Sequence, residues 1–238
     1  MVPTSPETNT LLFTFYVVAF LGMTTATAFF FLELARTLTK WRTIVSISGL
    51  ITFAAAVHYY YMKDYFLAVG STPTHLRYAD WIITVPMLCL QFYLIVKKTG
   101  KDVPDFLVWK LLLGALVMLV AGYIGESLHD GSVSWSVTWG VISTIGYLYI
   151  LYLIWLGDVK TFAKTAPEKV QTAIRGMGRF VLLGWMIYPI GYILGTPGGF
   201  FGIPVNLDFN MNYVYNIGDL VNKIGFGLVI WSLTRVED

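Results

Sequence analysis

The chain is 238 residues long, 56% hydrophobic and only 13% charged, with a net charge of +2 at pH 7. Soluble domains carry about 25% charged residues, so the composition excludes an ordinary water-soluble domain and points to lipid, and so small a net charge gives no ground for a nucleic-acid partner. One cysteine, Cys89, excludes an intrachain disulfide and any multi-cysteine metal site, and the length suits one compact unit over residues 1–238.

The N-terminal stretch MVPTSPETNT lacks the basic region of a secretory signal peptide. Long apolar runs then recur between short polar links. A bilayer core about 30 Å thick takes roughly 20 helical residues to cross. The runs predict seven spanning helices, near 9–33, 43–63, 73–97, 106–126, 133–157, 173–195 and 209–234. They use most of the chain and leave no room for a soluble domain. A closed β-barrel, the other solution in lipid, would show ten-residue alternation, which these runs lack.

Basic residues sit in alternate links. Arg36, Lys40 and Arg42 follow the first span, Lys97, Lys98 and Lys101 the third, and Lys160, Lys164, Lys169, Arg175 and Arg179 lie between the fifth and the body of the sixth. The opposite side offers only Lys63. The positive-inside rule predicts the N-terminus outside and the C-terminus in the cytoplasm, with the Gly- and Pro-rich link GTPGGFFGIPVNLD outside. His58, His75 and His129 are scattered, so no metal site is expected.

Ionisable groups at membrane depth are expensive and default to function. Asp80 in the third span and Asp219 and Lys223 in the seventh lie well inside, with Arg77 one turn from Asp80. Lys223 falls near the middle of its helix, too deep to snorkel. Asp219 precedes it by one turn, so both project from one face. One reading is a buried ion pair that fixes packing, although such pairs are often no better than apolar contacts. The other is an amine used covalently, since a desolvated lysine readily condenses with a carbonyl compound. Both helices run outside to inside in this topology, so the carboxylates lie outward of the amine, as a one-way proton path requires. Asp80, Thr84 and Gln91 share one face of the third span, with Gln91 about 16 Å further toward the cytoplasm.

At these residues the sequence resembles a microbial (type-1) rhodopsin. The third span reads RYADWIITVP, the sixth WMIYPIGY and the seventh NIGDLVNKIGFG, in the order and spacing of that family, and the likeness covers all seven spans. The seventh-span motif and His58 resemble the proteorhodopsin and xanthorhodopsin branch. The resemblance implies all-trans retinal bound to Lys223 as a protonated Schiff base. It implies Asp80 as primary counterion and proton acceptor, Asp219 as second counterion and Arg77 as the arginine shaping the outward half-channel. It also implies His58, followed by Tyr59, as the histidine partner of the acceptor. Taken alone, a histidine on an apolar helix reads as a satisfied core residue.

A long, flat, apolar chromophore needs aromatic walls and small residues beside its ring. Trp81, Trp185, Tyr188, Pro189 and Tyr192 match the family's walls, and Tyr215 is expected near Asp219. Met118, Gly122, Trp139, Ser143, Thr144 and Tyr147 fall at ring-side positions; the alternative for each aromatic is plain bundle packing. Leu88 stands where the branch tunes colour, and leucine there resembles green-absorbing members. Gly140 stands where many members carry tryptophan. It reads either as close helix packing or, as in xanthorhodopsin-like proteins, as a window for a carotenoid antenna.

The mechanism implied is light-driven isomerisation, transfer of the Schiff-base proton to Asp80, release outside and reprotonation from the cytoplasm. Pumps of this branch carry a carboxylic donor at the position of Gln91, and a neutral amide cannot donate that proton. A slow outward proton pump and a slow photosensor with a transducer partner both accommodate the change. The anionic Asp80 with Thr84 argues against chloride and sodium pumps. A non-photochemical transporter or structural membrane protein is the third class. The expected setting is the plasma membrane, as a multi-pass protein in a lipid bilayer, and the family often forms trimers or pentamers.

Overall fold

The computed structural model describes residues 6–71, 73–196 and 212–234, with side chains described from Thr10 onward. It is all-helical among those residues. The long helices are α1 (Pro6–Glu33), α2 (Thr39–Val69), α3 (Thr74–Thr99), α4 (Phe106–Ser127) and α5 (Val133–Trp155). A short α6 (Asp158–Ala163) leads to α7 (Glu168–Arg179), a π-helical segment over Phe180–Gly184, α8 (Ile187–Gly195) and finally α9 (Asn212–Leu233). The link between α8 and α9, with Asp208, lies outside the described residues.

Each predicted span meets a helix. The second runs longer than the sequence suggests, because its polar flanks, Thr39 to Arg42 and Lys63 to Asp64, continue the helical pattern beyond the apolar run. Among the described residues, six stretches are long and apolar enough to cross a membrane. The seventh, α9, is diluted by Asn212, Asn216, Asp219, Asn222 and Lys223, all of which serve the site described below.

Helices α1 to α5 pack in chain order, and α7 to α9 close the ring back onto α1. Large apolar side chains cover the outside: Leu21, Leu67, Leu113, Ile145, Leu183 and Val221 are all exposed. The buried polar set, Arg77, Asp80, Thr84, Gln91, Asn216, Asp219 and Lys223, lies inside. This inversion is what a lipid solvent selects: outward apolar groups lose nothing to hydrocarbon, whereas each unpaired polar group there costs several kcal/mol. Toward the end that carries the basic links, the interior is an apolar cluster including Phe92, Leu111, Met177, Phe226 and Ile230.

The sixth span departs from a plain helix. The Trp185 amide donates to the Phe180 carbonyl at 3.0 Å, one residue further back than in an α-helix. Such a π turn offsets carbonyls from the regular ladder. Side chains collect them: the Tyr147 hydroxyl donates to Val181 O at 2.9 Å and Leu182 O at 3.0 Å, and Asn222 Nδ2 donates to Gly184 O at 3.1 Å. A Cβ at Gly184 would overlap Asn222 Oδ1, so a glycine lets α9 approach this closely.

Candidate functional site

Asn212, Asn216, Asp219 and Lys223 follow one another at spacings of four, three and four, which aligns them on one face of α9. That face meets Arg77, Asp80 and Trp81 of α3 and Tyr59 of α2. Lys223 is 3% exposed, and both Asp80 and Asp219 are fully buried. Lys223 Nζ lies 2.5 Å from Asp80 Oδ2 and 3.4 Å from Asp219 Oδ2. With Arg77 the four formal charges cancel, which a low-dielectric interior requires.

The two carboxylates are treated differently. Asp219 accepts from the Tyr59 hydroxyl at 2.8 Å, the Tyr188 hydroxyl at 2.6 Å and Trp81 Nε1 at 3.1 Å, besides its contact with Lys223. Its charge is spread over three fixed donors from three helices. Asp80 has only Lys223 on Oδ2, and its Oδ1 is buried without a hydrogen-bond partner among the described residues. The ionised state of Asp80 therefore rests on the nearby cation, whereas Asp219 has independent support.

The remaining predicted polar residues surround this pair. His58 Nδ1 donates to the Ala54 carbonyl at 2.8 Å and stands 3.9 Å from Asp80 Oδ1, near the acid without a direct hydrogen bond. Thr84 donates to the backbone carbonyl of Asp80 at 3.0 Å rather than to its carboxylate. Arg77 touches neither acid: Nη2 donates to Asn212 Oδ1 at 2.8 Å and Asn216 Oδ1 at 3.2 Å, and the guanidinium lies 4.9 Å above the Tyr215 ring. Gln91 is fully buried, and its Nε2 donates to Ile44 O at 2.9 Å and Ser48 Oγ at 2.8 Å. Its Oε1 has no partner among the described residues.

From Lys223, Asp219 and Asn222 an apolar cleft extends toward Glu126, Gly140 and Tyr192. Trp81, Trp185, Tyr188, Pro189 and Tyr215 wall it, and Leu88, Met118, Ser143, Thr144 and Tyr147 also line it. Gly122 sits behind the wall: a Cβ there would stand 2.9 Å from the Tyr78 hydroxyl and 3.2 Å from Ser143 Oγ. Trp139 is not among the lining residues. It packs against Trp135 with ring centroids 5.7 Å apart, because one residue along a helix turns about 100° away from Gly140. Gly140 lines the cleft with Tyr192 folded over it, and a Cβ at 140 would meet Tyr192 Cε1 at 2.7 Å.

Sequence reasoning missed four participants. Asn222 lines the cleft and ties α9 to the π segment, and its adjacency to Lys223 was the available signal. Asn212 and Asn216 hold Arg77, and their positions seven and three residues before Asp219, on the same helix face, marked them. Glu126 accepts from the Tyr78 hydroxyl at 2.8 Å inside the cleft.

A primary amine at the closed end of an aromatic-walled cleft, with two acids at hand, suits a long apolar aldehyde bound as a protonated imine. The acids offset the charge, the hydrocarbon walls exclude water, and the orphaned acceptor beside the amine, Asp80 Oδ1, has no hydrogen-bond donor among the described residues.

Comparison with known proteins adds a family. The model of bacteriorhodopsin-like proteins matches residues 10–236. A green-light absorbing proteorhodopsin from Gamma-proteobacterium EBAC31A08 is 41% identical over 212 residues, covering 89% of this chain and 82% of that protein. The crystal structure of Exiguobacterium sibiricum rhodopsin superposes with a TM-score of 0.82 at 32% identity, covering 94% of this chain and 96% of that one. Xanthorhodopsin, a light-driven ion pump with dual chromophore, superposes at 0.82 with 26% identity over 97% of this chain and 94% of its own.

Proposed function

The chain belongs to the bacteriorhodopsin-like family, and from that premise we propose that it is a light-driven outward proton pump of the plasma membrane carrying all-trans retinal on Lys223. The observation that carries the reading is the asymmetry of the two acids around one buried amine. Retinal bound at Lys223 supplies visible absorption and a light-driven re-aiming of the N–H at that nitrogen.

Asp80 receives the proton, because its negative charge rests on that N–H at Oδ2 and, among the described residues, no other hydrogen-bond donor reaches its carboxylate. Asp219 stays ionised, since Tyr59, Tyr188 and Trp81 hold its oxygens whether or not the N–H points at it. Arg77, tethered to neutral amides, presents a cation on the far side of Asp80 from Gln91 and favours onward loss of the proton toward that end. His58 stands close enough to the acceptor to modulate it. The nitrogen regains its proton from the basic end, which is cytoplasmic in the topology read from the loop charges.

Gln91 lies on that uptake route and has no proton to give. Its amide is fixed by Ile44 and Ser48, so uptake proceeds through water and is slow. The same observation supports the second reading, a photosensor that uses a long-lived state. Gly140, which lines the cleft beneath Tyr192 and leaves it free of a bulky side chain at that point, supports a carotenoid antenna as a further ligand, in keeping with the dual chromophore of xanthorhodopsin.

Illumination of cells expressing the protein tests the pump. External acidification that vanishes with a protonophore, and a visible band lost in Lys223→Ala, are the expected results. A retinal-bearing protein that gives no acidification would favour the sensor, and a colourless one would overturn both.

A further inference from the structure

A second cleft lies far from Lys223, at the basic end, between the last turn of α5, α6 and the first turns of α7. Its volume, about 380 Å³, falls in the range of small-ligand sites, roughly 300–1,000 Å³. The floor is apolar: Ile154, Ala163 and Ile174 are all buried. The rim is cationic, formed by the exposed side chains of Lys160, Lys164 and Arg175. No carboxylate lines it, and among the described residues none pairs with those three cations. The nearby Asp158 is taken by Lys110 at 2.7 Å, and among the described residues Arg175 finds only the Thr172 hydroxyl at 2.9 Å.

A third feature points to a ligand. Trp155 lines the same cleft, and its Nε1 is buried without an acceptor among the described residues. A buried unpaired donor costs about 1–3 kcal/mol, so an orphan N–H beside three unpaired cations marks a missing anionic acceptor. Loop charges that merely set topology need no cleft, no apolar floor and no orphan donor.

We propose that this cleft binds an anionic phospholipid. The phosphodiester sits among Lys160, Lys164 and Arg175, one of its oxygens accepts from Trp155 Nε1, and an acyl chain lies on the floor of Ile154, Ala163 and Ile174. A soluble anion would satisfy the rim but leave the floor wet. The cleft abuts the end of a lipid-facing span, where acyl chains are already at hand.

Native mass spectrometry of the full chain, purified in neutral detergent and mixed with phosphatidylglycerol or phosphatidylcholine, tests the assignment. Phosphatidylglycerol should be retained in preference, and Lys160→Gln, Lys164→Gln and Arg175→Gln should each weaken it roughly fivefold. Trp155→Phe, which keeps the ring but removes the N–H, should also weaken it. Lys98→Gln, at the same end but outside the cleft, should not. Far-ultraviolet circular dichroism checks that each variant is folded, and the headgroup preference of the unaltered chain stands without any variant. Equal retention of the two lipids, or undiminished phosphatidylglycerol binding in all the cleft variants, would overturn the proposal. Displacement of phosphatidylglycerol by millimolar inorganic phosphate would overturn it in favour of a soluble anion. None of these readouts depends on retinal or on pumping.

Discussion

Replacing Gln91 with glutamate should restore a donor on the uptake path. Gln91 Nε2 donates twice, to the Ile44 carbonyl and to Ser48 Oγ, at 2.9 and 2.8 Å. A glutamate donates there only when protonated, and then once. Ionised, it would face the Ile44 carbonyl oxygen with no donor but the serine, so the site selects the protonated acid, the form a donor needs. The loss of one hydrogen bond costs about 1 kcal/mol, which a seven-helix bundle tolerates. A positioned acid is worth about 10²-fold or more in proton transfer. The intervening 16 Å or so along α3 places the gain near the lower end of that range. The assay is flash photolysis, following return of the visible band against pH. In the unaltered protein the return should slow as bulk protons grow scarce, since they are its direct source. In Gln91→Glu it should be roughly 100-fold faster and level off with pH. Equal rates and the same pH slope in both proteins would remove residue 91 from the uptake path.

Asp80→Asn should keep a visible band, because Asp219 remains as a counter-charge 3.4 Å from Lys223, while light-driven acidification falls to baseline; pumping that survives would displace Asp80 as acceptor. Tyr188→Phe removes the 2.6 Å donor to Asp219 Oδ1 and should lower stability by about 1.5–3 kcal/mol, read as an earlier thermal bleaching midpoint. Gly140→Trp must displace Tyr192 and break its 2.6 Å bond to the Ser136 carbonyl. It should cost about 1–3 kcal/mol and abolish any carotenoid-sensitised signal in the action spectrum, while direct retinal excitation still works.

Much of this was legible before any coordinates, and for a physical reason. Lipid makes hydropathy a direct readout of spans, and it makes Asp80, Asp219 and Lys223 conspicuous because nothing else justifies their cost at that depth. The helical repeat put Asp219 and Lys223 on one face correctly. What stayed hidden depends on phase and on partners from other helices. Trp139 and Gly140 are adjacent in sequence, and only the roll of α5 decides which of them faces the cleft. Tyr188 reads as a wall of the chromophore site and Tyr59 only as the neighbour of His58; that both hydroxyls reach Asp219 emerges when α2 and α8 pack against α9. The π turn at Phe180–Gly184 leaves no trace in hydropathy, since shifting a hydrogen bond by one residue changes no side chain. Glu126 was visible as an acid, but its pairing with Tyr78 belongs to the packing of α3 on α4.

The fit of Gly184 against Asn222 has a consequence for anyone rebuilding this protein. Any side chain at 184 evicts the amide at 222 and frees the carbonyl that amide holds. An alanine at 184 and a leucine at 222 would thus inflict the same injury, and the double change should cost little more than either alone. The two positions form a single locus, inherited or engineered together, although 38 residues separate them in the chain.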